Sequence, residues 1–110
     1  MNPSLDRNSF TNAVLASYLK LPDTPSRSRP PDRNLARQLF DQQVPLEVVQ
    51  HALLLTTARR HMRPPDAPPL QPIRSLFYFL PVIQELLDTP LPSGYPNYLK
   101  RKLAPLGLDL

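Results

Sequence analysis

Arginine is the residue type in this chain that could do the most chemistry. The 110 residues include 13 cations against 9 acids, for a formal net charge of +4, and most of the cations are arginine. A guanidinium donates paired hydrogen bonds to phosphate or carboxylate. Seven arginines lie between residues 26 and 63, where only three acids occur. They form two clusters: Arg27, Arg29, Arg33 and Arg37, and then Arg59, Arg60 and Arg63.

This local excess of positive charge has two interpretations. The next 25 residues, 64–88, have one cation against three acids, so the charge is unevenly placed along the chain. A basic half of this kind is typical of a surface that contacts nucleic-acid phosphates. The alternative is a solvated face, and cations at the end of a helix also complement its macrodipole.

Two closely spaced helices would position these arginines. Helix two is predicted to begin at Asp32 and to end near Gln43, with apolar residues on one face. Pro45 suits the first position of helix three, which is predicted to run to about Met62. The short connection resembles a DNA-binding helix-turn-helix unit, although an ordinary pair of bundle helices has the same pattern.

Helix three would act as the recognition helix of such a unit. Gln50 and His51 would then face DNA, and Leu54 would point outward with them. Glu47, near the start of this helix, would repel phosphate and counts against that role. Antiparallel packing of helices two and three would join the two arginine clusters into one positive face.

The remaining pattern predicts an all-α, compact bundle of about five helices in a single domain, residues 1–110. Helix one spans Asp6 to Leu21, with Ser4 or Asp6 as its cap. Proline-rich linkers occupy residues 22–31 and 63–72. Helix four is expected to open at Pro72 and to kink or break at Pro81. A short last helix ends the bundle, with Tyr98, Leu99 and Leu103 inward.

Exposed apolar residues would favour a different function, a helical adaptor that binds a partner protein. Leu54, Tyr78 and Leu91 are the apolar residues that we expect to be left uncovered. The three consecutive aromatics from residue 77 could stack on bases, but core packing of Phe77 is the simpler prediction. Lys100, Arg101 and Lys102 point to different sides of their helix and indicate a solvated surface.

Nothing in the sequence indicates an enzyme. Its two histidines, His51 and His61, have no metal-binding spacing, and no glycine-rich phosphate loop or nucleophile motif is present. We therefore expect no catalytic residue, no metal and no cofactor. The chain has no cysteine, no signal-peptide pattern and no long apolar run, which favours the cytoplasm and no membrane partner.

The segment ALLLTTARRHMRPPDAPPLQPIRSLFYFLPVIQELL carries a family resemblance. It is similar to small helical proteins encoded by bacterial plasmids and other mobile elements near replication or transposition functions. The resemblance covers residues from about 35 to 87 and has no catalytic motif attached to it. It implies DNA-associated work in a bacterial cytoplasm and assigns no residue a role. Together with the arginine-rich face, it leads us to predict a DNA-binding accessory protein of a mobile element, with duplex DNA as its ligand and another protein of the same element as a candidate partner.

Overall fold

Helices account for all of the regular structure in the part of the chain that the computed structural model describes, residues 5–107. The prediction of an all-α bundle of about five helices is confirmed. The elements are α1 (Arg7–Leu19), α2 (Pro30–Asp41), α3 (Leu46–His61), a 3-10 turn (Leu76–Phe79), α4 (Leu80–Asp88), α5 (Tyr95–Leu103) and a final 3-10 turn (Ala104–Leu106).

The caps explain where α1 and α2 begin. Asp6 is the N-cap of α1, and its carboxylate accepts a hydrogen bond of 2.7 Å from the backbone N–H of Ser9. Ser4, the other predicted cap, lies outside the described residues. Helix α2 begins at Pro30, two residues before the predicted start, because proline fits the first turn, where helical N–H groups have no partner.

A tight turn joins α2 to α3. The backbone N–H of Val44 donates to the carbonyl of Leu39 at 3.0 Å, and that of Gln43 donates to Phe40 at 2.9 Å. This is a Schellman motif, and it places Gln43 in the left-handed region at φ 63°, a position that usually holds glycine. Pro45 is the N-cap of α3 rather than its first helical residue.

Helix α3 is the centre of the bundle. Its residues from 52 to 58 are buried without a break, because α1 packs against it and so do α4 and α5. Leu54, predicted to point outward, is 2% exposed, so that prediction is wrong. Helix α2 packs against α1 and the first 3-10 turn, not along α3. The predicted antiparallel packing of helices two and three is therefore wrong as well.

The segment before α4 differs from its prediction. Pro72 does not open a helix: residues 72–75 are irregular, and the N–H of Ile73 donates at 2.8 Å to the carbonyl of Asp23. The carboxylate of Asp32, itself buried, accepts a hydrogen bond from the N–H of Leu76 at 2.9 Å. A 3-10 turn follows, and α4 starts just before Pro81, as expected for proline in a first turn.

Two aromatic predictions also need correction. Phe77 is 48% exposed, while Phe79 is buried and contacts Tyr18 edge to face, with 5.9 Å between ring centroids. Leu99 and Leu103 face the core as predicted, but Tyr98 lies at the surface and stacks on Tyr95. The prediction for Phe77 assumed the 3.6-residue period of a continuous α-helix. Residues 76–79 form a 3-10 turn with three residues per turn instead, so a different aromatic side chain faces the core.

Candidate functional site

Two of the three arginines at or just after the end of α3 are each hydrogen-bonded to one other residue of the chain. Arg59 donates two hydrogen bonds to the carboxylate of Glu85 on α4, at 3.0 and 2.7 Å. This paired hydrogen bond raises the pKa of Arg59 and lowers that of Glu85. Arg63 donates to the carbonyl of Pro68 at 2.7 Å, within the proline-rich segment that follows α3.

Arg60 has the largest number of partners in this cluster. Its guanidinium donates to the hydroxyl of Tyr78 at 2.9 Å, to the carboxylate of Asp23 at 3.1 Å and to the carbonyl of Gln71 at 3.1 Å. Only 11% of its side chain is exposed. Arg60 therefore joins the end of α3 to two loops and to the 3-10 turn, and this contact is part of the fold.

The arginines of α2 are arranged differently. Arg33 and Arg37 lie four residues apart on one side of α2, about 6 Å from each other along its axis, and Arg29, four residues before Arg33, is the extended N-cap residue of this helix. No salt bridge involves any of the three, or Arg27 in the preceding loop, within residues 5–107. Like charges spaced by four residues destabilise a helix, so this row is not explained by helix stability.

Helix α1 contributes a second polar row beside this one. Asn8, Asn12, Ala16 and Lys20 also lie four residues apart, and all are exposed. The two helices are antiparallel: Arg7 donates to Asp41 at 2.9 Å, and Arg33 donates to Asn12 at 3.3 Å. Together the rows form a surface that we call the α1–α2 face, made of Asn8, Asn12, Lys20, Arg29, Arg33 and Arg37.

The α1–α2 face combines cations with amide side chains. Asp41 lies four residues beyond Arg37, but its carboxylate is already paired with Arg7. Asparagine and small residues between cations allow close approach of a phosphate chain, since amide N–H groups also donate to phosphate oxygens. The spacing of the α1 row is present in the sequence. This row was not predicted, because the periodicity of helix one was used only to find its buried side.

The structure does not bring Gln50 and His51 to the arginines of α2. Both are half-buried near the start of α3, and within residues 5–107 neither is hydrogen-bonded to an arginine. The imidazole of His51 lies 3.8 Å from the carboxylate of Glu47. The middle of α3, residues 52–58, is enclosed by other helices, so only the beginning and the end of this helix reach the surface.

Other predicted surfaces have simpler outcomes. Lys100, Arg101 and Lys102 are exposed, and Lys102 lies over the ring of Tyr98 at 5.7 Å. Leu91 is only partly buried. Over residues 5–107, no three His, Asp or Glu side chains converge as metal ligands would. No helix in the same range is both long and apolar enough to cross a bilayer.

Comparison of the chain with protein-family models, with curated proteins and with solved structures gave no match. Two features stand out in the described part of the chain. One is the α1–α2 face, and the other is a group of exposed apolar side chains around the proline-rich segment.

Proposed function

We propose that this protein binds the phosphate backbone of DNA through the α1–α2 face. The observation that supports the proposal is the row of Arg29, Arg33 and Arg37 along α2, whose guanidinium groups form no salt bridge within residues 5–107. In the second arginine cluster, by contrast, Arg59 and Arg60 are paired with carboxylates, and Arg63 donates to a backbone carbonyl. The predicted positive face combined arginines of helices two and three; the proposed site keeps those of α2, adds the polar row of α1 and leaves out those of α3.

The geometry of the face suits a regularly charged chain. Successive arginines on one side of a helix are spaced by about 6 Å, which is near the distance between neighbouring phosphates along one strand. Arg29, Arg33, Arg37 and Lys20 would each pair with a phosphate, and Asn8 and Asn12 would donate to its oxygens. Such contacts fix the orientation of the protein on the duplex without reading the bases, so we expect the affinity to depend little on the DNA sequence.

The proposed biological setting is that of an accessory factor rather than an enzyme. The resemblance of residues 35–87 to small helical proteins of plasmids and mobile elements supports a bacterial, cytoplasmic role beside replication or transposition. In such a role the protein would hold or shield DNA while another protein of the same element does the chemistry. Its own affinity would come from charge and would weaken as salt is added.

A salt titration of binding to a random duplex tests the proposal. Four phosphate contacts predict a slope of log affinity against log salt of about −3.6. The double substitution Arg33→Ala and Arg37→Ala should flatten this slope by about 2 and weaken binding to all sequences alike. Fluorescence anisotropy of a labelled duplex, measured between 50 and 200 mM salt, would provide these values.

The matched control removes the same charge elsewhere. Lys100 and Arg101 lie on α5, are exposed and have no salt bridge in the described part of the chain. Their double alanine variant should keep a slope within about 0.5 of the parent value. If both double variants flatten the slope equally, binding is unspecific attraction to net charge, and if the parent does not bind at about 50 mM salt, the proposal is wrong.

A further inference from the structure

A second surface exposes large apolar side chains in one place. Leu70, Phe77 and Tyr78 are 42%, 48% and 44% exposed, and all three line one groove of about 570 Å³. An exposed leucine alone is ordinary, but an exposed aromatic pair with a leucine around a hollow marks a binding surface. The groove shares no residue with the α1–α2 face.

The walls of this groove are held in place before any partner arrives. Residues 63–75, which we call the proline-rich strap, form one side, and the first 3-10 turn forms the other. Arg60 is bonded to both, through the carbonyl of Gln71 and the hydroxyl of Tyr78. Tyr78 also contacts Phe79 edge to face at 5.5 Å. Fixed aromatic side chains lose little entropy on binding.

The rim of the groove is positive at Arg63 and Arg74, because Arg59 and Arg60 are paired with Glu85 and Asp23. Arg60 and Arg74 line it, and a neighbouring hollow that shares Leu70 and Tyr78 is lined by Arg59 and Arg63. No carboxylate lines either hollow. Arg74 is exposed and has no salt bridge within residues 5–107. An occupant that complements this surface combines an apolar anchor with acidic neighbours.

We infer that the groove binds a short acidic segment of a partner protein, with an apolar or aromatic residue seated between Leu70 and Phe77 and with Asp or Glu beside Arg74. The floor is apolar, and Arg59, Arg60 and Arg63 already have acceptors inside the chain, so the groove offers few free donors to a phosphate chain. A peptide needs only one ion pair in addition to its anchor. This site shares no residue with the α1–α2 face, but the two are neighbours, because Arg74 of the groove and Arg29 of the face line one hollow.

Selection from a random 12-residue peptide display library on the full chain tests the inference. The probe is then the strongest selected peptide, synthesised with a fluorescent label. Selected peptides should share a Leu, Ile, Phe or Trp flanked by Asp or Glu. Phe77→Ser should weaken the probe by about tenfold or more, as loss of an interface anchor does. Arg74→Glu should weaken it by about fivefold, with an effect that shrinks at high salt.

Leu87→Ser is the matched control, because Leu87 is 45% exposed on α4 and does not line the groove. It should leave the affinity of the probe within about twofold of the parent. Circular dichroism of each variant separates loss of binding from loss of folding, because Phe77 is at the surface and its substitution should not unfold the chain. Binding that survives Phe77→Ser, or a library that yields no acidic apolar motif, would each overturn the inference. So would displacement of the probe by DNA that persists undiminished in the Arg33→Ala and Arg37→Ala double variant, because DNA would then compete for the groove itself.

Discussion

Replacement of Arg60 by alanine should destabilise the fold without changing the way the protein binds DNA. The substitution removes hydrogen bonds to Tyr78, Asp23 and Gln71. The bond to Asp23 joins an exposed carboxylate and contributes less than about 1 kcal/mol. The two others are hydrogen bonds from a charged donor at a partly wet surface, and together the three stabilise by about 2–3 kcal/mol.

This free energy converts into a measurable melting shift. A chain of 110 residues has an unfolding entropy of about 0.23 kcal/mol/K. Arg60→Ala should therefore lower the Tm by about 9–13 °C, as measured by scanning calorimetry. Arg63→Ala, which loses only the bond to Pro68, should cost less than about 1 kcal/mol, or about 4 °C.

The DNA-binding assay distinguishes a structural role of Arg60 from the role predicted from the sequence, in which Arg60 contacts phosphate. At temperatures where both proteins are folded, Arg60→Ala should keep the salt slope of the parent within about 0.5, since its donors already serve the fold. A variant that melts within about 2 °C of the parent but binds DNA with a flatter slope would show that the internal contacts of Arg60 are incidental.

Three further predictions concern stability. Burial, followed by the charge of Asp32, raises the pKa of Tyr18 to about 12. In the unfolded chain this tyrosine ionises near pH 10, before it does so in the folded protein. The free energy of unfolding should therefore be highest below pH 10 and fall by about 2–3 kcal/mol between pH 10 and 12. Urea unfolding should show that Tyr18→Phe abolishes this loss. Gln43→Gly should stabilise by about 0.5–1 kcal/mol by relieving the left-handed conformation, whereas Gln42→Gly, at φ −85°, should destabilise. Asp32→Asn should cost about 1.5–3 kcal/mol in calorimetry, because an amide cannot accept from the N–H groups of both Arg29 and Leu76; an unchanged Tm would contradict this role.

The sequence predicted those parts of the fold that depend on local pattern. Asp6 was recognisable as a cap, and Pro81 as an interruption, because both act within one helical turn. The segment from Pro72 to Ser75 was mistaken for helix because its irregular path depends on distant groups, the carbonyl of Asp23 and the carboxylate of Asp32. No local pattern contains those partners.

In the candidate site, too, the features that depend on local spacing could be predicted, and those that depend on distant partners could not. Four-residue spacing in α2 was visible in the sequence, and so was the matching row of α1. What could not be predicted is which arginines remain available, because Arg59 and Arg60 have partners 26 and 37 residues away along the chain. Composition alone weighs all ten arginines equally, and tertiary contacts distinguish them.

The enclosure of α3 has a consequence for how the chain unfolds. One side of this helix packs against α1, and other sides pack against α4 and α5, so each group of helices needs α3 to complete its own apolar interior. Neither the first 62 residues nor the last 65 would therefore form a stable fragment, since each would expose to water part of the buried run from residue 52 to 58. We expect the protein to melt in a single all-or-none transition, with calorimetric and van't Hoff enthalpies in agreement, and to be degraded rather than trimmed when a protease cuts within α3.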